Sequence, residues 1–548
     1  MYGLAKLAAG QLNITNFASL VPPIHGLAKL AALNDDVKLY PHQQRFVDKP
    51  GNSVIAAHGV GSGKTLSGIA RFEKLKDEGK ANKALVVVPA GLRNNFGDQG
   101  VGKFTNSKYR IVGNKQELKN KNNKAYGAVD PNSDYNILSY EMFRRNPKAY
   151  MKDSGADTLV LDEFHRGKNE GTQTTNSLKD IEGDYKNFIG LTGSVVSNSI
   201  SDVQPLVDVA SSGQSLLGDS KKDFEHNFLK RNESKAYKHL HEKRKPVVGF
   251  KHQRELQNEL GKYIDYVDYD DVKDLANMPD KNIEVHKVPI SKEQARIYKG
   301  LLNDNPSVKK MITNKRLETL KDDEAAKAFS SLIESRKLMN SIGSVRPGMS
   351  LAESANVTPK TNQLLDDLSE HLKETPDGQA LLFSHLIKGG TDTLEAGLKD
   401  RGIDYGTFLG KGNKGVTEEQ RQQAVRDYND HKKRVMLISS AGGEGVSLND
   451  TTWEGVLDPH YNPEKMNQME ARGIRSGGLA HRPKDEREVE VNRYLATMPK
   501  TFGIFPSRYK TPDEFIYEIA QNKDHQNQLL FNLLKDQQRR EESKGGLF

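Results

Sequence analysis

Residues 53–65 read SVIAAHGVGSGKT, and LSGIARFEKL follows over residues 66–75. The apolar run Val54–Ala57 predicts a buried strand, and the apolar spacing of 66–75 predicts a helix. A strand, a glycine-rich turn and a helix in that order form the opening unit of a parallel α/β sheet. Gly59, Gly61 and Gly63 let the backbone curl, so that N–H groups around Ser62 face phosphate oxygens at the helix N-terminus. Lys64 is placed to neutralise β/γ-phosphate charge, and Thr65 to ligate Mg²⁺ through its hydroxyl. The strict pattern GxxxxGK(S/T) has glycine where this chain has His58.

The same rhythm extends outward. Ala84–Pro89, Tyr135–Ser139, Thr158–Leu161 and Phe188–Thr192 are short, apolar and bounded by Gly, Asp or Asn, which predicts further buried strands. It returns in Ala380–Ser384, Arg434–Ser439 and Glu454–Leu457, with mostly polar helical patterns between the two blocks. The expected organisation is a leader over 1–35, an ATP-binding α/β lobe over 36–205 and a helical region over 206–350. A second α/β lobe over 351–482 and C-terminal brace helices over 483–548 complete it. The length of 548 residues, at about 150 per domain, allows three to four such units. The leader repeats GLAKLAA at Gly3–Ala9 and Gly26–Ala32. It reads either as a loosely ordered segment or as a docking peptide for a protein partner, and it lacks the basic start and apolar core of a secretory signal.

Composition removes whole classes of chemistry. With no cysteine there is no disulfide, thiolate zinc site, iron–sulfur cluster or cysteine nucleophile. The longest apolar stretches fall far short of the roughly 20 residues that cross a bilayer, so no membrane is expected; the lack of accessory modules in the sequence leads us to expect a cytoplasmic, bacterial or viral setting. Lys plus Arg number 81 and Asp plus Glu 73, so 81 − 73 gives +8, a weak pull toward an anionic partner. Locally the charge is sharper. Lys230–Lys245 carries seven Lys/Arg, among them Lys230, Arg231, Lys243 and Arg244, against two Glu, which is 7 − 2 = +5. That segment reads equally as a sequence-independent nucleic-acid backbone site or as a solvated basic face.

Two further features belong with the phosphate loop. Thr158–Leu161 ends in Asp162-Glu163-Phe164-His165, a carboxylate pair at a buried strand's tip. There Asp162 is a direct or indirect Mg²⁺ partner, and Glu163 the base that orients an attacking water. In QMEARGIRSG, Gln468 precedes Arg472 and Arg475, spaced i, i+3 and expected on one helical face. Arginines from a second domain can stabilise γ-phosphoryl charge, an effect of about 10³–10⁵ in rate.

These pieces, in this order, resemble the Swi/Snf-like branch of the superfamily-two (DExH-box) nucleic-acid translocases. LYPHQQ (Leu39–Gln44), VVVPAGLRNNF (Val86–Phe96), ILSYE (Ile137–Glu141), LDEFHRGKN (Leu161–Asn169) and LTGSVVSN (Leu191–Asn198) are similar to the family's first-lobe motifs. LLFSHL (Leu381–Leu386), SSAGGEGVSLND (Ser439–Asp450) and DPHYNPEKMNQMEARGIR (Asp458–Arg475) are similar to its second-lobe motifs. Ser194-Val195 stands where the family has Thr-Pro, and Tyr461 where it has Trp. The resemblance implies two RecA-like parallel-sheet lobes with helical insertions between them and a helical C-terminal end. It implies an ATP site at Gln43 (adenine), Lys64, Thr65, Asp162, Glu163, Gly445, Gln468, Arg472 and Arg475. It further implies nucleic-acid tracking at Pro89, Ser139, Tyr140, Ser384, Ser439 and Ser440, with His165, Thr192 and Gly193 coupling hydrolysis to movement.

The expected activity is ATP hydrolysis, with Mg²⁺, coupled to translocation along double-stranded DNA. Single-stranded DNA or RNA is the other candidate track. The rivals are a strand-separating helicase, for which the sequence shows no wedge hairpin, and an inactive binding protein, which would be expected to lack Lys64, Glu163 or the arginines.

Overall fold

A computed structural model describes residues 33–59, 61–113, 127–168, 171–196, 198–234, 245–274, 277–314, 322–410, 417–439, 448–475, 477–499 and 509–545. The leader up to residue 32, Lys243, Arg244, Ser440 and Gly445 lie outside them. The strands are β1 Ser53–His58, β2 Ala84–Val88, β3 Tyr109–Ile111, β4 Tyr135–Ser139, β5 Thr158–Asp162, β6 Asn187–Thr192, β7 Leu229–Arg231 and β8 Val247–Phe250. They continue with β9 Ile264–Val267, β10 Asp280–Pro289, β11 Gln379–Ser384, β12 Tyr405–Phe408, β13 Val435–Ser439, β14 Thr451–Val456 and β15 Glu488–Thr497.

Seven strands form a parallel sheet in the order β3-β4-β2-β5-β6-β1-β9. Its central strands are apolar throughout because both faces are covered. Alternate residues feed separate cores: Ile55, Leu85, Val87 and Leu159 pack on one side. Val54, Val86, Val88 and Val160 pack on the other. Six strands form a second parallel sheet, β10-β15-β14-β11-β13-β12, built the same way. The chain is therefore α/β with two parallel-sheet lobes.

Five strands stand where the sequence led us to expect helices. Inside 206–350, β7 and β8 pair with each other while β9 and β10 join opposite lobes, and β15 lies inside 483–548. β10 is an edge strand with mostly exposed polar residues, and β15 alternates Glu-Val-Glu-Val, so neither has the continuous apolar run that marked the others. The helix Pro512–Gly545 is 34 residues, about 51 Å at 1.5 Å per residue. It starts on the second lobe, where Asp513 pairs with buried Lys360 at 2.5 Å. Farther along, Leu530, Leu533 and Leu534 are buried in the first lobe, with Phe531 stacked on Tyr266 at 5.3 Å. Among the described residues no helix is long and apolar enough to cross a membrane.

Candidate active site between the lobes

Parallel sheets present their loops at the C-terminal ends of the strands, and the site is assembled there. β1 ends at His58, and the loop turns into the helix Lys64–Asp77 through Gly61 and Gly63, at φ +83° and +77°. A Cβ on Gly63 would sit 2.4 Å from Gln43 Nε2, so only glycine fits this turn. Gln43 donates from Nε2 to the carbonyls of Ser62 and Gly63, both at 3.3 Å. Its Oε1 accepts from the Tyr40 N–H at 2.9 Å. The Lys64 ammonium lies back on the loop, donating to the carbonyls of His58 (3.0 Å) and Gly59 (3.2 Å). The loop thus gathers Gln43, Gly59, Ser62, Lys64 and Thr65 around one helix N-terminus.

Asp162 and Glu163 occupy the end of β5, one strand away from β1. Glu163 has left-handed backbone geometry (φ +52°), which turns its carboxylate off the strand line. Burial, then the charge of Glu163, pushes the Asp162 carboxyl well above the ordinary range. Against the same upward push of burial, the contact with His165 and the charges of Lys64 and Arg472 hold Glu163 below its ordinary value. His165 Nδ1 lies 3.2 Å from Glu163 Oε2 and 3.3 Å from Thr192 Oγ1, and the Thr192 hydroxyl donates to the Ser194 carbonyl at 2.8 Å. A side-chain path therefore runs from the carboxylate to the end of β6, ending at the Gly193-Ser194 turn. Two carboxylates near Lys64, with the Thr65 hydroxyl in the first turn of the helix that follows the glycine cradle, form the kind of oxygen donor set that Mg²⁺ with a phosphate ester requires.

The second lobe closes the site. The helix Pro463–Glu470 carries Gln468, which donates to Glu464 at 3.3 Å. Arg472 and Arg475 follow it in a turn and an extended stretch, which corrects the expectation of one helical face. The helix stops because the next residues run flat along β14: a Cβ on Gly473 would meet Glu454 Oε1 at 2.5 Å and Thr451 Cγ2 at 2.7 Å. Buried Glu470 anchors this segment, accepting from Arg493 at 2.8 and 2.9 Å and from Lys281 at 2.6 Å. Arg475 feels the charges of Glu163 and Lys64, and Arg472 that of Glu163, so both arginines lie within electrostatic reach of the first-lobe site. Burial, then Arg472, pulls the Arg475 guanidinium below its ordinary value, though it stays charged.

Five of the residues expected to touch nucleic acid lie at strand ends or next to them. Pro89 is buried, and its carbonyl accepts from the Leu92 N–H at 2.8 Å. Ser139 accepts from the Met142 N–H as a helix cap, and the Tyr140 hydroxyl donates to the Asp162 carbonyl at 2.8 Å. Ser384 donates to Asp458 at 2.6 Å, and Ser439 accepts from the Gly410 N–H at 3.3 Å. All five are buried, and the four hydroxyl groups are engaged within the chain. Arg231 pairs with Glu225 at 2.9 Å and donates to the Lys245 carbonyl, so it holds the β7–β8 hairpin together; Lys230 beside it is exposed. Sequence reasoning passed over Arg144 and Arg145, which line a groove with Gln173 and Asn176 next to Ser139 and Tyr140. The adjacent basic pair in YEMFRRN was the signal.

The SNF2-related domain matches residues 31–344, and the helicase conserved C-terminal domain matches 363–477. A protein of Acanthamoeba polyphaga mimivirus, whose name calls it an ATP-dependent RNA helicase, is 22% identical over 493 residues, 89% of this chain and 95% of that one. The ISWI chromatin-remodelling complex ATPase of Saccharomyces cerevisiae is 25% identical over 458 residues, 80% of this chain and 36% of that one. The DNA repair and recombination protein RAD54 of the same yeast is 25% identical over 479 residues, 81% of this chain and 50% of that one. This chain thus spans nearly all of the viral relative and half or less of the yeast ones.

Proposed function

The chain belongs to the family of SNF2-related domains, and from that premise we propose that it moves along double-stranded DNA, without sequence preference, as it hydrolyses ATP. It is a nucleic-acid-dependent ATPase. The observation that carries the reading is that Lys64 and Glu163 follow strands of one sheet while Arg472 and Arg475 follow the helix Pro463–Glu470 of the other lobe, within electrostatic reach of them. Hydrolysis then depends on how the lobes close, and lobe closure is the motion that can step a track.

The roles follow from position. Gln43 leaves the loop carbonyls to read adenine, and Lys64 leaves those of His58 and Gly59 to take the β/γ-phosphates. Mg²⁺, held by Thr65 and Asp162, neutralises charge on the phosphate oxygens when bound. Glu163 orients the attacking water and accepts its proton, and Arg472 and Arg475 stabilise charge on the γ-phosphoryl. His165 and Thr192 relay the state of Glu163 to the end of β6. Arg144, Arg145 and Lys230 offer exposed or half-buried cations to phosphates beside those strand ends.

The chosen track rests on the relatives named for chromatin and DNA repair, which supports DNA over RNA. A second reading, strand separation, has its own support. β7 and β8 form an antiparallel hairpin joined by the basic stretch that includes Lys243 and Arg244, and the viral relative is named as an RNA helicase. ATPase rates with duplex DNA, single-stranded DNA and RNA, against a Glu163→Gln control, test the assignment. Duplex DNA should stimulate most, and strongest stimulation by RNA would overturn the choice of track.

A further inference from the structure

His58 occupies the phosphate loop's first position, and its surroundings give it a use. Its Nε2 meets Asp265 Oδ1 at 2.7 Å, and both side chains are completely enclosed. Asp265 lies on β9, which pairs beside β1 with Ala56 opposite Asp265 and His58 opposite Val267. The same carboxylate takes Arg45, with Nε at 3.0 Å from Oδ2 and a terminal nitrogen at 3.2 Å from Oδ1. Arg45 sits on the helix Pro41–Asp48, two residues from Gln43. On that helix His42 Nε2 lies 2.9 Å from the Ser62 carbonyl, and its ring meets His58 edge-on at 5.6 Å. The Gly59 N–H donates to the Val267 carbonyl at 2.7 Å, and the His58 carbonyl accepts from Lys64.

We propose that Asp265 is a positioning residue for the nucleotide: by gripping Arg45 and His58 together, it locks the adenine-side helix and the phosphate loop into one rigid unit. The distance between Gln43 and Lys64 is then fixed before ATP arrives, so less ordering is required on binding. A buried carboxylate with two cationic or donor partners is worth its desolvation only where both contacts are held, and here they come from the two elements that bracket the nucleotide. The inference rests on the reading of Gln43 and Lys64 as the ATP site.

The test compares wild type, Lys64→Ala, Asp265→Asn and Arg45→Gln for binding of a fluorescent ADP analogue and for ATPase and GTPase kinetics. Arg45 is partly exposed, so Arg45→Gln stays informative if Asp265→Asn does not fold. Both clamp variants should raise KM for ATP and the analogue's Kd about tenfold, with kcat within twofold, and should erode the preference for ATP over GTP. A merely structural role would lower the melting temperature and leave that preference intact. Unchanged KM and preference in folded clamp variants would overturn the proposal, while Lys64→Ala still losing binding would leave the ATP site standing. Binding by Lys64→Ala equal to wild type would overturn the site and the clamp together.

Discussion

Replacing Gly473 by alanine isolates the arginines from the rest of the site. The new Cβ would stand 2.5 Å from Glu454 Oε1 and 2.7 and 2.8 Å from Thr451 carbons, where ordinary contact begins at 3.4 Å. Differences of 3.4 − 2.5 and 3.4 − 2.8 mean that the segment must withdraw from β14 by about 0.6–0.9 Å. β14 is a central strand with neighbours on both sides, so the mobile partner is the segment holding Arg472 and Arg475. A displacement near 1 Å at a catalytic group costs about 10²-fold in rate, and overpacking of this size costs about 1–3 kcal/mol in stability. DNA-stimulated kcat should therefore fall about 10²-fold while ADP binding, made by the first lobe, stays within about threefold. Steady-state ATPase, titration with fluorescent ADP and a thermal melt read the three quantities separately. A kcat within a factor of three of wild type, in protein that melts a few degrees lower, would refute the placement of the arginines.

Three other outcomes follow from the same geometry. Arg475→Ala should lower kcat by about 10³-fold or more with ADP binding nearly intact; loss of binding as deep as that of Lys64→Ala, by the same titration, would contradict a finger role. Glu470→Ala leaves half-buried Arg493 and Lys281 without their shared carboxylate and should cost about 1–3 kcal/mol in urea denaturation, against a smaller loss for Glu470→Gln. Burial, then Arg434 and Arg482, pulls the His371 imidazole down to about 4, below its unfolded value near 6.5. Its stabilising effect is complete above that unfolded value and drains away as pH falls from 6.5 toward 4. Denaturation at pH 7.5 and pH 5 should show a smaller difference for His371→Gln than for wild type.

The sequence made the lobes legible where burial on both faces forces an unbroken apolar run. Ala84–Val88 and Thr158–Asp162 are such strands, and each lies where the pattern put it. β10 and β15 were hidden because an edge strand and its neighbour keep polar side chains that alternate with apolar ones. β9 was hidden by brevity and by Asp265, a buried charge that makes sense only beside Arg45 and His58.

For the site, residue type and order picked out Lys64, Asp162 and Glu163, which the fold brings to the same end of one sheet. What the pattern could not carry was direction. Tyr140, which opens the helix after β4, and Ser384, the last residue of β11, belong to motif-like stretches, yet their hydroxyls turn inward to the Asp162 carbonyl and Asp458. The arginine spacing suggested a helix, but Gly473 lets the chain lie flat on β14 instead. The basic segment's composition gave no hint that Arg231 is spent inside its own hairpin.

The most direct test of the central claim is displacement of a DNA triplex strand from an intact duplex, run beside unwinding of a forked duplex, with ATP and with Glu163→Gln as control. Translocation without strand separation predicts ATP-dependent triplex displacement and no release of the forked strand. Release of the forked strand without triplex displacement would contradict the account and shift the function to the β7–β8 hairpin as a wedge.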